Sequence, residues 1–180
     1  MNWILTTEHY TRDELKNAAV ILHPRSIEKY GVWPDDVGMI FEQWSNFTRL
    51  KHPIEDGHGN SYYDSEGYYM AQRFENPTIK QMVALCSTQK HFSKKAAYLL
   101  QDQMEADPEK RIVYMRNALR EKFLRNPSLA KVLNRTGDRL IIELTYWNDR
   151  FFGVSHTDLS WFNALWKLLM ETRDLTSKCI

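Results

Sequence analysis

The sequence has few cysteines, glycines and prolines. Its 180 residues include two cysteines, seven glycines and six prolines. Cys86 and Cys179 form no Cys-x-x-Cys pair, so neither a disulfide framework nor a thiolate metal site is predicted. With 43% hydrophobic and 26% charged residues, the composition excludes a low-complexity or disordered chain. We therefore expect a folded globular protein.

Segments that would direct the chain to a membrane are also missing. No apolar run approaches the roughly 20 residues that span a bilayer. The first residues, MNWILTTEHYTRDE, carry acidic side chains where a signal peptide has a basic and then an apolar region. A cytoplasmic protein with no membrane partner is expected.

Motifs for common cofactors and metals are absent as well. The sequence contains no Gly-x-Gly-x-x-Gly segment and no Walker-type phosphate loop, which argues against Rossmann and P-loop nucleotide sites. The six histidines include no His-x-x-x-His pair. Only His52, Asp56 and His58 lie close together in sequence, and such a group is more typical of a polar loop than of a metal site. We predict no cofactor and no metal.

Positive charge is unevenly distributed, although the net charge is only +1. The segment 110–139 contains two acids, Glu121 and Asp138, and many more bases. One interpretation is the solvated face of a helix pair. The other is a basic rim that attracts a phosphorylated ligand or nucleic acid. The nine bases are Lys110, Arg111, Arg116, Arg120, Lys122, Arg125, Lys131, Arg135 and Arg139.

Helix signals dominate the chain. Thr11 and Glu14 have capping-box spacing and predict a helix to about Leu22. Ser65 is predicted to cap a helix that ends near Glu75. The apolar periodicity and the positions of proline predict further helices over residues 77–87, 91–103, 108–125, 127–134 and about 159–173.

Extended segments are few and short. Residues 32–63 are rich in Gly, Pro, Asp, His and aromatics, which predicts loops and short strands such as 38–41. Residues 140–146, LIIELTY, are typical of a strand. The length favours one domain. The predicted fold is α+β, mainly α-helical, in a single compact domain with a few short strands.

Three separated segments occur together, in this order, in a known family. The first is WSNF at 44–47, before Pro53 and Ile54, and the second is SEGYYMAQRF at 65–74. The third includes MRNALREKF at 115–123, NPSLAKVL at 126–133, NDRFFG at 148–153 and NALWKLLM at 163–170. Together these segments resemble the YbiA-like NADAR family. The resemblance implies a NADAR domain over residues 34–180, preceded by an N-terminal helical extension over residues 1–33.

The resemblance also implies hydrolysis of an N-glycosidic bond. Known branches act on ribosylamino-pyrimidine phosphate intermediates of riboflavin synthesis, or remove ADP-ribose from guanine in DNA. The expected substrate is thus a phosphorylated ribonucleotide-like molecule or an ADP-ribosyl adduct. One alternative is a non-catalytic module of the same fold that binds ADP-ribose or a nucleotide. Another is a nucleic-acid binder that uses the basic segment 110–139.

Two carboxylates are predicted to be catalytic, because the family's active-site glutamate and aspartate correspond to Glu66 and Asp149. Cleavage of an N-glycosidic bond places positive charge on the sugar in the transition state. A fixed carboxylate stabilises that charge or activates water. From the residues alone, Glu66 would be a first-turn acid that complements the helix dipole. Asp149 would cap a turn before Gly153.

Six further residues are predicted to bind the substrate. Arg73 stands where the family has lysine, so it excludes an imine at that position, but its planar fork suits phosphate as well as a surface ion pair. Tyr69 and Phe152 would stack on the base or pack in the core. Asn46 and Asn163 would contact the ligand or cap turns. The complete set is Asn46, Phe47, Tyr69, Arg73, Phe152 and Asn163.

Overall fold

Helices account for most of the regular structure in the computed structural model. It describes residues 8–9, 18–22, 41–145, 149, 151–155, 160–161 and 164–178. In chain order the described elements are β1 (Glu8–His9), β2 (Ala19–Leu22), α1 (Phe41–Trp44), β3 (Ile54–Glu55), β4 (Ser61–Tyr62), α2 (Ser65–Gln72), α3 (Pro77–Cys86), α4 (Phe92–Tyr98), a 3-10 turn (Gln101–Gln103), α5 (Pro108–Arg125), α6 (Pro127–Asn134), β5 (Ile141–Thr145), β6 (Val154–Ser155), β7 (Ser160–Trp161) and α7 (Ala164–Ser177). The predicted mainly helical α+β fold is confirmed.

The chain divides into two compact units. One combines Met1–Trp44 with Val132–Leu175, and the other combines Ser45–Lys131 with Thr176–Ile180. We call the second the central unit. Within it, α2 packs against α3, α4 and α5, and β3 pairs with β4 as an antiparallel hairpin.

The core of the central unit forms where the apolar faces of α2, α3 and α5 meet. Fully buried side chains there each stabilise the fold by roughly 1.5–3 kcal/mol relative to an exposed position. They include Met70, Ala71, Val83, Met115 and Leu119. The spacing of Met115 and Leu119 is the i, i+4 pattern that predicted α5 from the sequence. This packing holds the first turn of α2, and with it Glu66, in a defined position.

Helix starts follow local capping chemistry, with one correction. Asp64, not Ser65, caps α2, because its Oδ1 accepts a hydrogen bond from the backbone N–H of Gly67 at 2.6 Å. The Ser65 hydroxyl instead donates to the backbone oxygen of Asn46 at 3.1 Å. Asn76 caps α3 and Asp107 caps α5, each directly before a proline. The helix α2 also ends at Gln72, earlier than predicted.

The unit that combines Met1–Trp44 with Val132–Leu175 has a small parallel sheet. In this sheet β2 and β6 flank β5, and Ala19 to Leu22 pair in register with Ile141 to Leu144. The prediction of a helix reaching Leu22 is therefore wrong over residues 19–22. An apolar, partly β-branched run gains a full ladder of hydrogen bonds from a distant strand, which local helix signals do not reveal. Residues 11–17 lie outside the described part.

The C-terminal helix also begins later than predicted. Residues 160–161 form β7, antiparallel to β1, and α7 starts only at Ala164. Within the predicted loop region 32–63, Phe41 is the first residue of the short helix α1, although residues 38–41 were predicted to form a short strand. Residues 38–40 lie outside the described residues. The proposed domain boundary near residue 33 stays a prediction.

Candidate functional site

Glu66 is nearly buried at the start of α2. Only 5% of the residue is exposed. Its backbone N–H donates to the backbone oxygen of Asn46 at 3.0 Å. Its Oε1 lies 3.2 Å from Nζ of Lys94, whose side chain is 40% exposed. A carboxylate in this setting has a fixed position, and its cationic partner reaches solvent.

Asn46 joins the loop before β3 to the first turn of α2. Its backbone oxygen accepts from Glu66 and from the Ser65 hydroxyl, and that hydroxyl lies 3.3 Å from its Oδ1. Its Nδ2 contacts Sδ of Met115 at 3.7 Å. These bonds hold Glu66 relative to the loop. The predicted substrate contact of Asn46 stays a prediction.

Phe47 carries the aromatic surface beside the carboxylate. The rings of Phe47 and His91 have centroids 4.2 Å apart at an angle of 50°, and Nζ of Lys94 lies 5.6 Å from the Phe47 centroid. His91 adopts a left-handed backbone conformation with φ of 68° immediately before α4. We call Asn46, Phe47, Glu66, His91 and Lys94 the Glu66 cluster.

The local field around His91 is positive. Burial lowers the pKa of its imidazole, and the charges of Lys90, Lys94 and Lys95 lower it further. Sequence reasoning missed His91, since a lone histidine carries no motif. The contact of Lys94 with Glu66 was also not predicted, because it joins residues 28 positions apart.

Tyr69 and Arg73 lie along the same helix as Glu66, as predicted. Tyr69 is 3% exposed, and its hydroxyl accepts from Nε of Arg111 at 3.2 Å. Burial raises the pKa of this hydroxyl. Nε of Arg73 donates to the backbone oxygen of Glu105 at 3.0 Å, and its guanidinium lies 5.8 Å from the Tyr69 ring. Tyr69 is thus a core residue, and Arg73 is held by the backbone rather than by an ion pair with a carboxylate.

Beneath α2 lies a buried pair of opposite charges that the sequence did not reveal. Asp64 is 2% exposed and Lys122 is fully buried. Burial raises the pKa of Asp64 to about 7 and lowers the pKa of Lys122 to about 7, and each charge partly offsets the shift of the other. Nζ of Lys122 donates to the backbone oxygen of Ser45 at 2.8 Å. Lys122 therefore ties α5 to the residue next to Asn46 in the Glu66 cluster.

The basic segment 110–139 is not a continuous surface. Lys122 lies in the core, Arg111 contacts Tyr69, and Arg125 pairs with Glu121 at 2.9 Å. Lys110 pairs with Glu105 at 2.5 Å. Four of the nine bases of this segment are therefore buried or paired with other residues of the protein. A nucleic-acid partner stays a prediction.

The second predicted carboxylate, Asp149, lies in the unit that contains β5. Its Oδ1 accepts from the backbone N–H groups of Phe151 and Phe152 at 3.0 and 3.1 Å. Phe152 is buried edge-on against Phe151, with centroids 4.7 Å apart. These contacts agree with the structural alternatives for both residues, in which Asp149 caps a turn and Phe152 packs in the core. Asn163 lies outside the described residues.

The described ranges hold neither a cluster of metal ligands nor a candidate membrane span. Within them, no three His, Cys, Asp or Glu side chains come together as a metal site. No helix in that part of the chain is long and apolar enough to cross a membrane.

Comparison with known proteins identifies relatives of the whole fold. The model of the NADAR domain matches residues 32–176. The chain is also similar to the NMR structure of the E. coli protein YbiA, with 26% sequence identity and a TM-score of 0.63. That similarity covers 94% of this chain and 89% of the other. No curated protein matches. The family resemblance found in the sequence is confirmed.

Proposed function

Because the chain belongs to the NADAR family, we propose that it hydrolyses an N-glycosidic bond with Glu66 as catalytic carboxylate. The family is associated with glycosidase-type activity. The observation that carries the proposal is the nearly buried Glu66 carboxylate, held 3.2 Å from the partly exposed Lys94 beside the Phe47 ring. The substrate is a phosphorylated riboside or an ADP-ribosyl adduct.

Glu66 activates the attacking water in this proposal. The bond between the anomeric carbon and nitrogen breaks as the water oxygen bonds to that carbon. Glu66 accepts the proton that the water loses, and its negative charge stabilises the positive charge on the sugar. Its hydrogen-bonded backbone and its burial keep the carboxylate in place, so little reorganisation is needed in the reaction.

Lys94 supplies the proton for the leaving group. Its ammonium donates to the departing nitrogen, which leaves as a neutral base. The proton taken up by Glu66 then passes to the Lys94 amine across the 3.2 Å contact, which restores both groups. The cycle consumes one water, releases the base and the free sugar, and needs no cofactor.

The rings of Phe47 and His91, tilted by 50°, form the aromatic surface on which the base stacks. Their rings are already in contact, at 4.2 Å between centroids. Arg73 contributes a phosphate contact from the same helix as Glu66, and its planar fork suits that role. Asp149 acts as the second carboxylate, and the Oδ1 bonds to the turn hold its side chain in one orientation.

A substrate panel tests the proposed reaction. The protein is incubated with a ribosylamino-pyrimidine phosphate, NAD, ADP-ribose and ADP-ribosylated DNA, and release of base or sugar is followed by mass spectrometry. Release from one member establishes the reaction and its substrate. Tight binding of a member without any release would instead favour a binding module of the same fold.

Lys94→Gln tests the proton donor. The substitution keeps a polar side chain with a hydrogen-bond donor, one methylene shorter, but removes the charge and the transferable proton. We expect kcat/KM to fall about 100-fold or more, since a positioned general acid contributes roughly 10²–10⁴-fold.

Lys95→Gln is the matched control. Lys95 is exposed, and its Nζ lies 5.5 Å from the Phe92 ring instead of beside Glu66. Its loss should leave kcat/KM unchanged. If kcat/KM fell equally in the two variants, Lys94 would contribute only positive charge and would not be the proton donor.

Asp149→Asn separates catalysis from turn capping. An asparagine Oδ1 still accepts the two backbone hydrogen bonds, so the turn should persist. Loss of the negative charge is expected to reduce kcat/KM about 100-fold. Asp138→Asn, at an exposed position of the same unit, serves as control. Unchanged kcat/KM in Asp149→Asn would leave Asp149 with a structural role alone.

A further inference from the structure

Gly67 lies in the first turn of α2, directly after Glu66. A glycine within a helix makes the fold less stable than an alanine would, because it loses more backbone freedom on folding. The φ angle of Gly67 is not positive, so the backbone conformation does not require a glycine here. The reason for a glycine at this position therefore lies in its surroundings.

The ends of two other helices leave little room for a side chain at position 67. A Cβ atom on Gly67 would lie 3.0 Å from Cβ of Ser87, at the end of α3, and 3.2 Å from Cβ of Ser93 in α4. It would also lie 3.1 Å from Oδ1 of Asp64. Carbon atoms in good contact are about 3.5–4.0 Å apart. A side chain at position 67 would thus push α3 and α4 away from α2.

The contact with Gly67 also sets the reach of Lys94, which follows Ser93 in α4. Ser93 is fully buried, and its hydroxyl has no hydrogen-bond partner among the described residues. Its close approach to Gly67 is therefore a packing contact and not a hydrogen bond. Nζ of Lys94 lies 3.2 Å from Oε1 of Glu66, which follows from the spacing of α2 and α4.

We propose that Gly67 is a positioning residue, which lets α4 approach α2 closely enough to hold Lys94 against the Glu66 carboxylate. Gly67 has no side chain, so it acts only through the spacing of the two helices. The inference rests on the proposed role of Lys94 as proton donor. It explains why the residue after Glu66 is a glycine, although alanine would stabilise the helix.

Gly67→Ala tests the effect on the reaction. The added methyl group shifts its neighbours by a few tenths of an ångström. We expect kcat to fall about 10-fold with little change in KM, since a displacement of about 1 Å costs roughly 10²-fold. Ser93→Gly removes the Cβ atom that the methyl group meets, so Gly67→Ala/Ser93→Gly should recover most of kcat. Gly57→Ala is the matched control, because nothing lies within 4 Å of a Cβ atom there.

The ammonium signal of Lys94 in NMR spectra tests the positioning without turnover. The signal is assigned by its disappearance in Lys94→Gln, and Glu66→Gln gives its position when the carboxylate is absent. We expect Gly67→Ala to move the signal towards that position and Gly67→Ala/Ser93→Gly to return it. Gly57→Ala should leave the signal where it is in the wild type.

The two measurements separate this inference from the proposed hydrolysis. If no substrate is cleaved but the Lys94 signal moves and returns as expected, the positioning stands and the hydrolysis does not. The positioning is overturned if Gly67→Ala leaves the signal unchanged, or if Ser93→Gly does not return it. Ser93→Thr enlarges the same contact from α4 and replaces Gly67→Ala in both measurements if that variant does not fold.

Discussion

Glu66→Gln should abolish turnover and leave the fold intact. Glutamine has almost the same shape and can still contact Lys94, but it neither accepts the proton of the attacking water nor offsets positive charge on the sugar. We expect kcat/KM to fall about 10²–10⁴-fold, the range that a positioned acid–base group contributes. The measurement is release of base from the substrate that the panel identifies, together with a thermal melt.

The matched control for this substitution is Glu75→Gln. Glu75 follows the same helix α2 but is exposed, so its loss should change neither activity nor stability by a measurable amount. A folded Glu66→Gln protein with normal turnover would refute Glu66 as the catalytic carboxylate. If it bound the substrate with normal affinity but without turnover, the result would locate the defect in the chemical step.

Lys122→Met should destabilise the protein strongly. Methionine keeps most of the apolar stem of Lys122 but removes the charge that lowers the pKa of Asp64 and the hydrogen bond to Ser45. Removing one member of a buried charge pair costs about 3–5 kcal/mol, because the other charge is left without compensation. Chemical denaturation measures this loss, and the melting temperature should fall by roughly 10 °C.

The second substitution of the cycle is Asp64→Asn, which keeps an N-cap acceptor for the Gly67 amide. The double variant should lose less stability than the sum of the two single variants, since the interaction between the two charges is then lost only once. Lys131→Met, on the exposed side of α6, should change stability by less than about 0.5 kcal/mol. Simple additivity of Asp64→Asn and Lys122→Met would show that the two charges do not interact.

The same pair predicts how stability depends on pH. The pKa of Asp64 is raised from 3.8 to about 7, so its contribution is complete below pH 3.8 and is lost as the pH rises to about 7. The pKa of Lys122 is lowered from 10.5 to about 7, so its contribution is complete above pH 10.5 and is lost as the pH falls to about 7. Relative to the double variant, the wild type should therefore be least stable near pH 7.

Much of the helical structure follows from short-range signals. The prolines at positions 77 and 108, each preceded by a side-chain acceptor, place the starts of α3 and α5 correctly. The run at 141–145 is a strand, as its β-branched composition predicts. These features depend on neighbours within one turn or one strand, so the local sequence determines them.

The candidate site could be predicted only in part. The family motifs predict Glu66 at the start of a helix. In the structure Lys94 links Glu66 to Phe47, because its Nζ contacts the Glu66 carboxylate and lies near the Phe47 ring, which also contacts His91. No motif marks Lys94 as the partner of Glu66, because residues so far apart meet only after α2 packs against α4. The predicted cap at Ser65 fails for a more local reason, since the carboxylate of Asp64 is available one position earlier.

The sequence by itself determined the family, the mainly helical α+β fold and the start of the helix that carries Lys122. Tertiary structure alone decided that residues 19–22 form a strand, because the partner strand lies more than 100 residues away. It also decided that Lys122 is a core residue rather than part of a basic rim. Burial and long-range pairing depend on which faces meet when the chain folds, and a charge count along the sequence contains no information about those faces.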